Sequence, residues 1–261
     1  MMKQRVVSIT VGLLLLLTSP VWATELYPYL YQRLGFEHKG ALTLEMENAL
    51  GTRDCGYFGK EGIETGIRLR YGLTDRVVIE GWAGSHQQAP EHRSQAFALE
   101  ASFGILRQGS QAVNLSFAAG FKRDFEGVFV PLFRLTLNRK WGNLDLTMSG
   151  VGEFPQASWR DKADIIVGAG VSYMVLKWCR LGLEAAGEDL EGFWDKREAE
   201  GGAKFIVGPT VWFKVMNRLG CKFNTGWVHA ATTNMPTRPG FVDSSNRKDG
   251  FLARVALAFL F

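Results

Sequence analysis

The chain has 261 residues, a formal charge of +4 and a mean hydropathy of −0.03, with frequent Gly, Trp and Phe but only 8 prolines. Without the two N-terminal cations Lys3 and Arg5 the charge falls to about +2, too weak a field to draw nucleic acid, so no nucleic-acid partner is expected. Beyond the first 23 residues no apolar run approaches the roughly 20 residues of a membrane-crossing helix. That leaves alternation as the way this composition meets a membrane.

Residues 1–23 read as a secretory signal peptide. Lys3 and Arg5 precede an apolar run that contains Leu13 to Leu17, Ser19-Pro20 breaks it, and Val21-Trp22-Ala23 supplies small residues for cleavage. The run is short for a spanning anchor, and no Cys follows it that could carry a lipid. Residues 24–40 form a periplasmic lead-in, a short helix or an extended stretch. Leu26, Tyr27, Leu30, Tyr31 and Leu34 could share a helical face only if Pro28 sits in the first turn. The stretch is too short for a plug domain.

Residues 41–261 repeat one unit, an alternating segment followed by a turn or loop. In the first segment, 41–50, Leu42, Leu44 and Met46 oppose Thr43, Glu45 and Glu47. In the second, 62–71, Ile63, Ile67, Leu69 and Tyr71 oppose Glu64, Arg68 and Arg70. A helix would not separate charge from apolar residues with period 2, so these are strands. The third is 76–83, and further strands are expected at 95–106, 111–123, 128–139, 143–152, 163–175, 179–188, 202–215, 218–229 and 250–261. The predicted fold is an all-β, transmembrane, antiparallel up-and-down barrel of about twelve strands, with ten or fourteen as alternatives.

The connections support it. Those at 72–75, 107–110, 140–143, around Lys177 and at 216–217 are short. Those at 51–60, 84–93, 153–162, 189–200 and 230–249 are long, and 124–127 is the short exception among them. Short periplasmic turns alternate with longer external loops in outer-membrane barrels, which places both termini in the periplasm of a Gram-negative bacterium. Tyr71, Trp141, Tyr173 and Trp178 fall near the expected periplasmic interface and Trp227 toward the external one. At the C-terminus Phe251, Val255, Leu257, Phe259 and Phe261 make an apolar alternation, the expected signal to the barrel-assembly machinery. Outer-membrane lipids are the other expected partner.

The polar faces collect charges of both signs as possible lumen-lining groups: Glu45, Glu47, Glu64, Glu80, Glu100, Asp145, Asp164 and Glu184 against Arg68, Arg70, Lys122, Arg134, Lys204, Lys222 and Arg254. Opposite charges on neighbouring strands stabilise one another. The same side chains could form a selective constriction. Cys55, Cys179 and Cys221 are odd in number, and the last two fall two strands apart, nearly 10 Å at about 4.8 Å per strand, too far for a disulfide. His38, His86, His92 and His229 show no metal-site spacing. A hydrolase built on His229 with Ser244 or Ser245 is the weakest reading. No catalytic residue, metal or cofactor is expected.

The segment Arg70-Tyr71-Gly72-Leu73-Thr74-Asp75-Arg76 resembles a hairpin of the outer-membrane transport family named for the meta-pathway (MetA-pathway) of phenol degradation, and Ile206-Val207-Gly208-Pro209-Thr210-Val211 is similar to a late strand of that family. The resemblance implies a barrel that assists passage of hydrophobic or aromatic compounds and brings no catalytic residues. In the hairpin, Gly72 is expected to supply positive φ and Asp75 to bond its own backbone. The expected function is a passive channel for small solutes. A non-conducting barrel with loop-mediated binding is the alternative, and an outer-membrane hydrolase a second one.

Overall fold

A computed structural model describes residues 36–52, 60–89, 92–158, 162–188, 190, 203–230 and 249–261. Twelve strands follow in chain order: Leu42–Gly51 (β1), Gly62–Thr74 (β2), Val77–Ala89 (β3), His92–Leu106 (β4), Asn114–Arg123 (β5), Phe129–Trp141 (β6), Leu144–Glu153 (β7), Asp164–Leu176 (β8), Cys179–Glu188 (β9), Lys204–Met216 (β10), Leu219–Ala230 (β11) and Asp249–Leu260 (β12). Each pairs antiparallel with its neighbours in sequence, and β12 returns to β1 to close a barrel. Thr43 meets Leu260 and Gly51 meets Leu252 at the closing seam. Leu42 and Phe261 exchange backbone hydrogen bonds of 3.3 and 2.8 Å, so the last residue of the chain completes the ladder.

Alternation decides which face each side chain takes. Met46, Ile67, Leu69, Leu99, Phe133, Leu135, Met148, Leu183 and Leu257 are exposed on the outside, whereas Glu45, Arg68, Glu100, Arg134, Asp145 and Glu184 are buried inside. That is the inverse of a water-soluble barrel and the arrangement a lipid-facing wall requires. Tyr71, Trp141, Tyr173 and Trp178 are exposed on the outer wall at the end where the connections are short, here the turn end. Arg139 lies over the Trp141 ring at 4.3 Å, a cation held where an aromatic belt meets headgroups. The apolar interior is a partial band, Ala49, Val151, Ile166, Ala186, Ile206, Val228 and Leu252, on the inner face of β1 and β7–β12.

All twelve expected strands are present; several boundaries move. The ten-residue loop expected at 84–93 is mostly strand, with Ala89 paired to His92 and two residues between them. The alternation continues there through Ser85 and Gln87, but without apolar residues to mark it. Strand β5 starts at Asn114 rather than 111 because 107–113 form a compact turn. Asn114 Oδ1 accepts the Gln108 amide at 2.7 Å, and the Gln108 side chain bonds both backbone groups of Lys140.

The β2–β3 turn is also built differently. Only Asp75 and Arg76 lie between the strands, after a bulge between Gly72 and Thr74. Gly72 does not have positive φ. A Cβ there would collide with the His38 carbonyl, because the lead-in bonds directly to this hairpin through Gly40 N–H to Gly72 O at 2.7 Å. The Thr74 hydroxyl accepts the amides of Arg76 and Val77, while Asp75 Oδ1 accepts from Lys39. The hairpin is therefore an anchor for residues 36–40 as well as a reversal. Cys179 and Cys221 are free and flank Phe213 of β10 on neighbouring strands, while Cys55 lies outside the described residues.

Candidate functional site: the charged inner wall

Twelve strands about 4.8 Å apart and tilted near 40° give a backbone diameter of about 24 Å. Directly across a ladder, Arg68 Nη1 lies 3.0 Å from Glu45 Oε1, Arg70 Nε 3.1 Å from Glu80 Oε2, and Lys204 Nζ 3.9 Å from Glu188 Oε2. Arg68 also contacts Glu47 and places Nε 3.1 Å from Glu80 Oε1, so one guanidinium joins three carboxylates on β1 and β3. Arg70 reaches Glu37 of the lead-in at 3.2 Å.

Other pairs skip a strand. Lys222 of β11 reaches Glu45 of β1 at 2.5 Å, across Ala256 and Ala258 of β12. Arg134 of β6 lies 2.9 Å from both Glu100 oxygens on β4, across Ala118 and Gly120 of β5. Arg254 of β12 and Glu64 of β2 are 3.6 Å apart across Ala49 of β1. Lys122 of β5 meets Glu153 of β7 at 2.6 Å across Val130 and Leu132. In three of the four, the intervening residues are Ala or Gly, which leave room for side chains to meet over them. At Gly120 a Cβ would strike the Leu99 carbonyl and crowd Glu100, backbone and side chain alike.

A polar chain continues the wall on β5–β7. Asn138 Nδ2 donates to Asp145 Oδ1 at 2.7 Å and to the Thr147 hydroxyl at 2.8 Å, and Asn114 donates to Asn138 Oδ1 at 3.0 Å. Lys140 Nζ is 3.8 Å from Asp145. Asp164 and Glu184 are buried on the same inner face. Of the charges on these polar faces thirteen are buried and two, Arg70 and Lys122, are half-buried, and most are ion-paired across one ladder or two.

Sequence reasoning missed several inner groups. Glu153 was expected to open a loop, but it ends β7 and is buried. Trp82, two residues beyond Glu80, points inward and lies against Gly66 and Gly84; the parity of β3 was the available signal. Trp212, buried inside β10, had the same signal. Phe36 lies over Gly104, and Phe125 contacts Trp82 and His86; both come from connections, where alternation gives no direction.

The apolar C-terminal residues face outward, with Phe251, Val255 and Leu257 exposed and Phe259 and Phe261 half-buried. His229 Nδ1 is 2.5 Å from Asp249 Oδ1 and its ring stacks on Trp227; Ser244 and Ser245 lie outside the described residues. His86 Nε2 is 2.6 Å from the Glu61 carbonyl, and the His92 side chain is outside the described set. Among the described residues no group of three His, Cys, Asp or Glu side chains could hold a metal ion.

No protein-family model and no curated protein sequence matches the chain. Solved structures match its fold. A KdgM porin in complex with disordered oligogalacturonate superposes with a TM-score of 0.59 at 9% identity, covering 83% of this chain and 98% of the porin. The NanC porin gives 0.59 at 8% identity over 83% and 98% of the two chains. A COG4313 outer membrane channel from Pseudomonas putida F1 gives 0.58 at 12% identity over 91% and 100%. At such identities the likeness establishes a shared barrel fold.

Proposed function

We propose that the protein is a passive channel for small solutes in the outer membrane of a Gram-negative bacterium, with both termini in the periplasm. The observation that carries this reading is the inside-out wall. A closed barrel with an apolar exterior presents Glu45, Arg68, Arg70, Glu80, Glu100, Arg134 and their partners to the bore. Charges of both signs around a bore favour small polar or amphipathic solutes over an ion of one sign. The porins and the channel that share the fold support transport. The two motif echoes point to the phenol meta-pathway family and to a hydrophobic or aromatic cargo. The signal peptide at 1–23 and the assembly role of Phe251, Val255, Leu257, Phe259 and Phe261 belong to the same proposal.

The test is conductance of the refolded protein in a planar bilayer, with discrete steps expected. Folded protein that stays silent would refute the channel. One observation favours a second reading, a non-conducting barrel: the inner charges are paired with each other rather than left for a solute, as a lattice that only holds shape would be. The barrel then acts through its loops, and silence in the bilayer is its signature.

A further inference from the structure

The β5–β6 connection, 124–128, is one of two short links at the loop end, the other being the two-residue link between β3 and β4. Its four-residue core is tightly held. Asp124 Oδ1 accepts the amides of Glu126 at 3.0 Å and Val128 at 2.9 Å, the Asp124 carbonyl accepts from Gly127 at 2.9 Å, and Gly127 sits at φ +84°. Such a turn fixes the direction of its tip residue, unlike a long loop. That residue is Phe125, and it points into the barrel. Its ring meets Trp82 edge to face at 6.0 Å and His86 at 5.6 Å, both inward-facing on β3, two strands away. Glu126 reaches Lys60, ahead of β2, at 3.8 Å.

The wall beneath is shaped for this crossing. On β4 the inward residue beside Gly84 is Ala96 and the one beside Trp82 is Ala98, so nothing tall stands under the Phe125 ring. Trp82 lies flat because its wall neighbours are Gly66 and Gly84, where a Cβ would strike the indole. An aromatic pair thus covers a sector of the inner wall built from the small residues Gly66, Gly84, Ala96 and Ala98.

We infer that Phe125 sets the bore of the loop-end mouth, as a hydrophobic constriction held against Trp82 and His86 that resists hydrated ions and selects solutes by thickness and apolar face. The inference rests on the channel reading. A hydrated ion loses water contacts beside two aromatic faces and gains none, so the barrier belongs to polarity as well as size.

The experiment is single-channel conductance in potassium chloride of the folded protein, its folding verified by heat-dependent mobility on gels, for Phe125→Trp, Phe125→Met, Phe125→Gln, Phe125→Ala and Trp82→Ala. Conductance should fall for Trp and rise about two- to fivefold for Ala, with Gln exceeding Met despite similar volume. Trp82→Ala should also raise it. If the wild-type protein conducts and Phe125→Ala conducts equally, the constriction is wrong and the channel stands. Equal conductance of Gln and Met would overturn the hydrophobic part. A silent wild type with a conducting Phe125→Ala would support a constriction that closes the bore. Silence of every folded variant would remove the channel reading and this inference with it.

Discussion

Replacing Arg68 with Met tests whether the ion cluster at the foot of the inner wall is shielded from the water of the bore or open to it. Arg68 is 4% exposed and contacts Glu45, Glu47 and Glu80. Methionine keeps much of the volume and removes the charge. Glu45 retains Lys222 and Glu80 retains Arg70, so the carboxylate most isolated by the change is Glu47. In a dehydrated site, stranding a buried carboxylate costs about 3–5 kcal/mol. In a water-filled bore the same change resembles loss of an exposed ion pair, about 0–1 kcal/mol. Urea titration of the barrel refolded in lipid, followed by tryptophan emission and by gel mobility, measures the difference. We expect a loss of about 3 kcal/mol, with about half recovered in Arg68→Met/Glu47→Gln, where the stranded charge is neutralised. A loss below about 1 kcal/mol, or no recovery in the double variant, would refute the picture of an interlocked cluster shielded from the water of the bore.

Three further outcomes follow from individual contacts. Gly208→Val should lower the folded fraction by at least about 2 kcal/mol, because its Cβ would run into the Thr225 carbonyl beside Pro209, where the β10–β11 ladder is interrupted; gel mobility after refolding reads it. On the outer wall Thr65 donates to Asn48 at 3.0 Å, so Thr65→Val should cost about 1–2 kcal/mol in lipid and Thr65→Val/Asn48→Leu should restore or exceed wild-type stability. Deleting Phe261 removes its two backbone bonds with Leu42 at the closing seam and should slow refolding into vesicles, measured as the time course of the folded band; an unchanged rate would exclude a closing role.

The strands were legible because a barrel wall forces period 2 on nearly every residue. Glu45, Arg68, Glu100 and Arg134 declare their face by their neighbours, and the long and short connections give the order. Partnership was less legible. Arg68 with Glu45 follows from adjacent strands, but Lys222 with Glu45 requires the closure of β12 on β1 and the smallness of Ala256 and Ala258, and no local pattern encodes either. The ends of β3 and β4 are hidden in the sequence because Ser85 and Gln87 alternate without contrast. At Gly72 the hairpin motif suggests a turn conformation, whereas the glycine is needed for the approach of the His38 carbonyl, a contact from a segment with no strand pattern. Phe125 was the least visible of all, since a turn residue has no parity.

The ion pairs that skip a strand have a mechanical meaning. Ladder hydrogen bonds act along the circumference and are indifferent to how sharply the sheet bends between one strand and the next. A link between strands n and n+2 is a chord, spanning about 60° of a twelve-strand circle, and its length sets the curvature of that arc. Lys222–Glu45, Arg254–Glu64 and Arg134–Glu100 are such chords, and Ala256, Ala49 and Gly120 are the hollows that let them be drawn tight. The roundness of the cross-section is thus written as much in the small residues under the chords as in the charges at their ends. Filling one of these hollows with a larger side chain would lift its chord toward the barrel axis and strain the arc while leaving every charge in place.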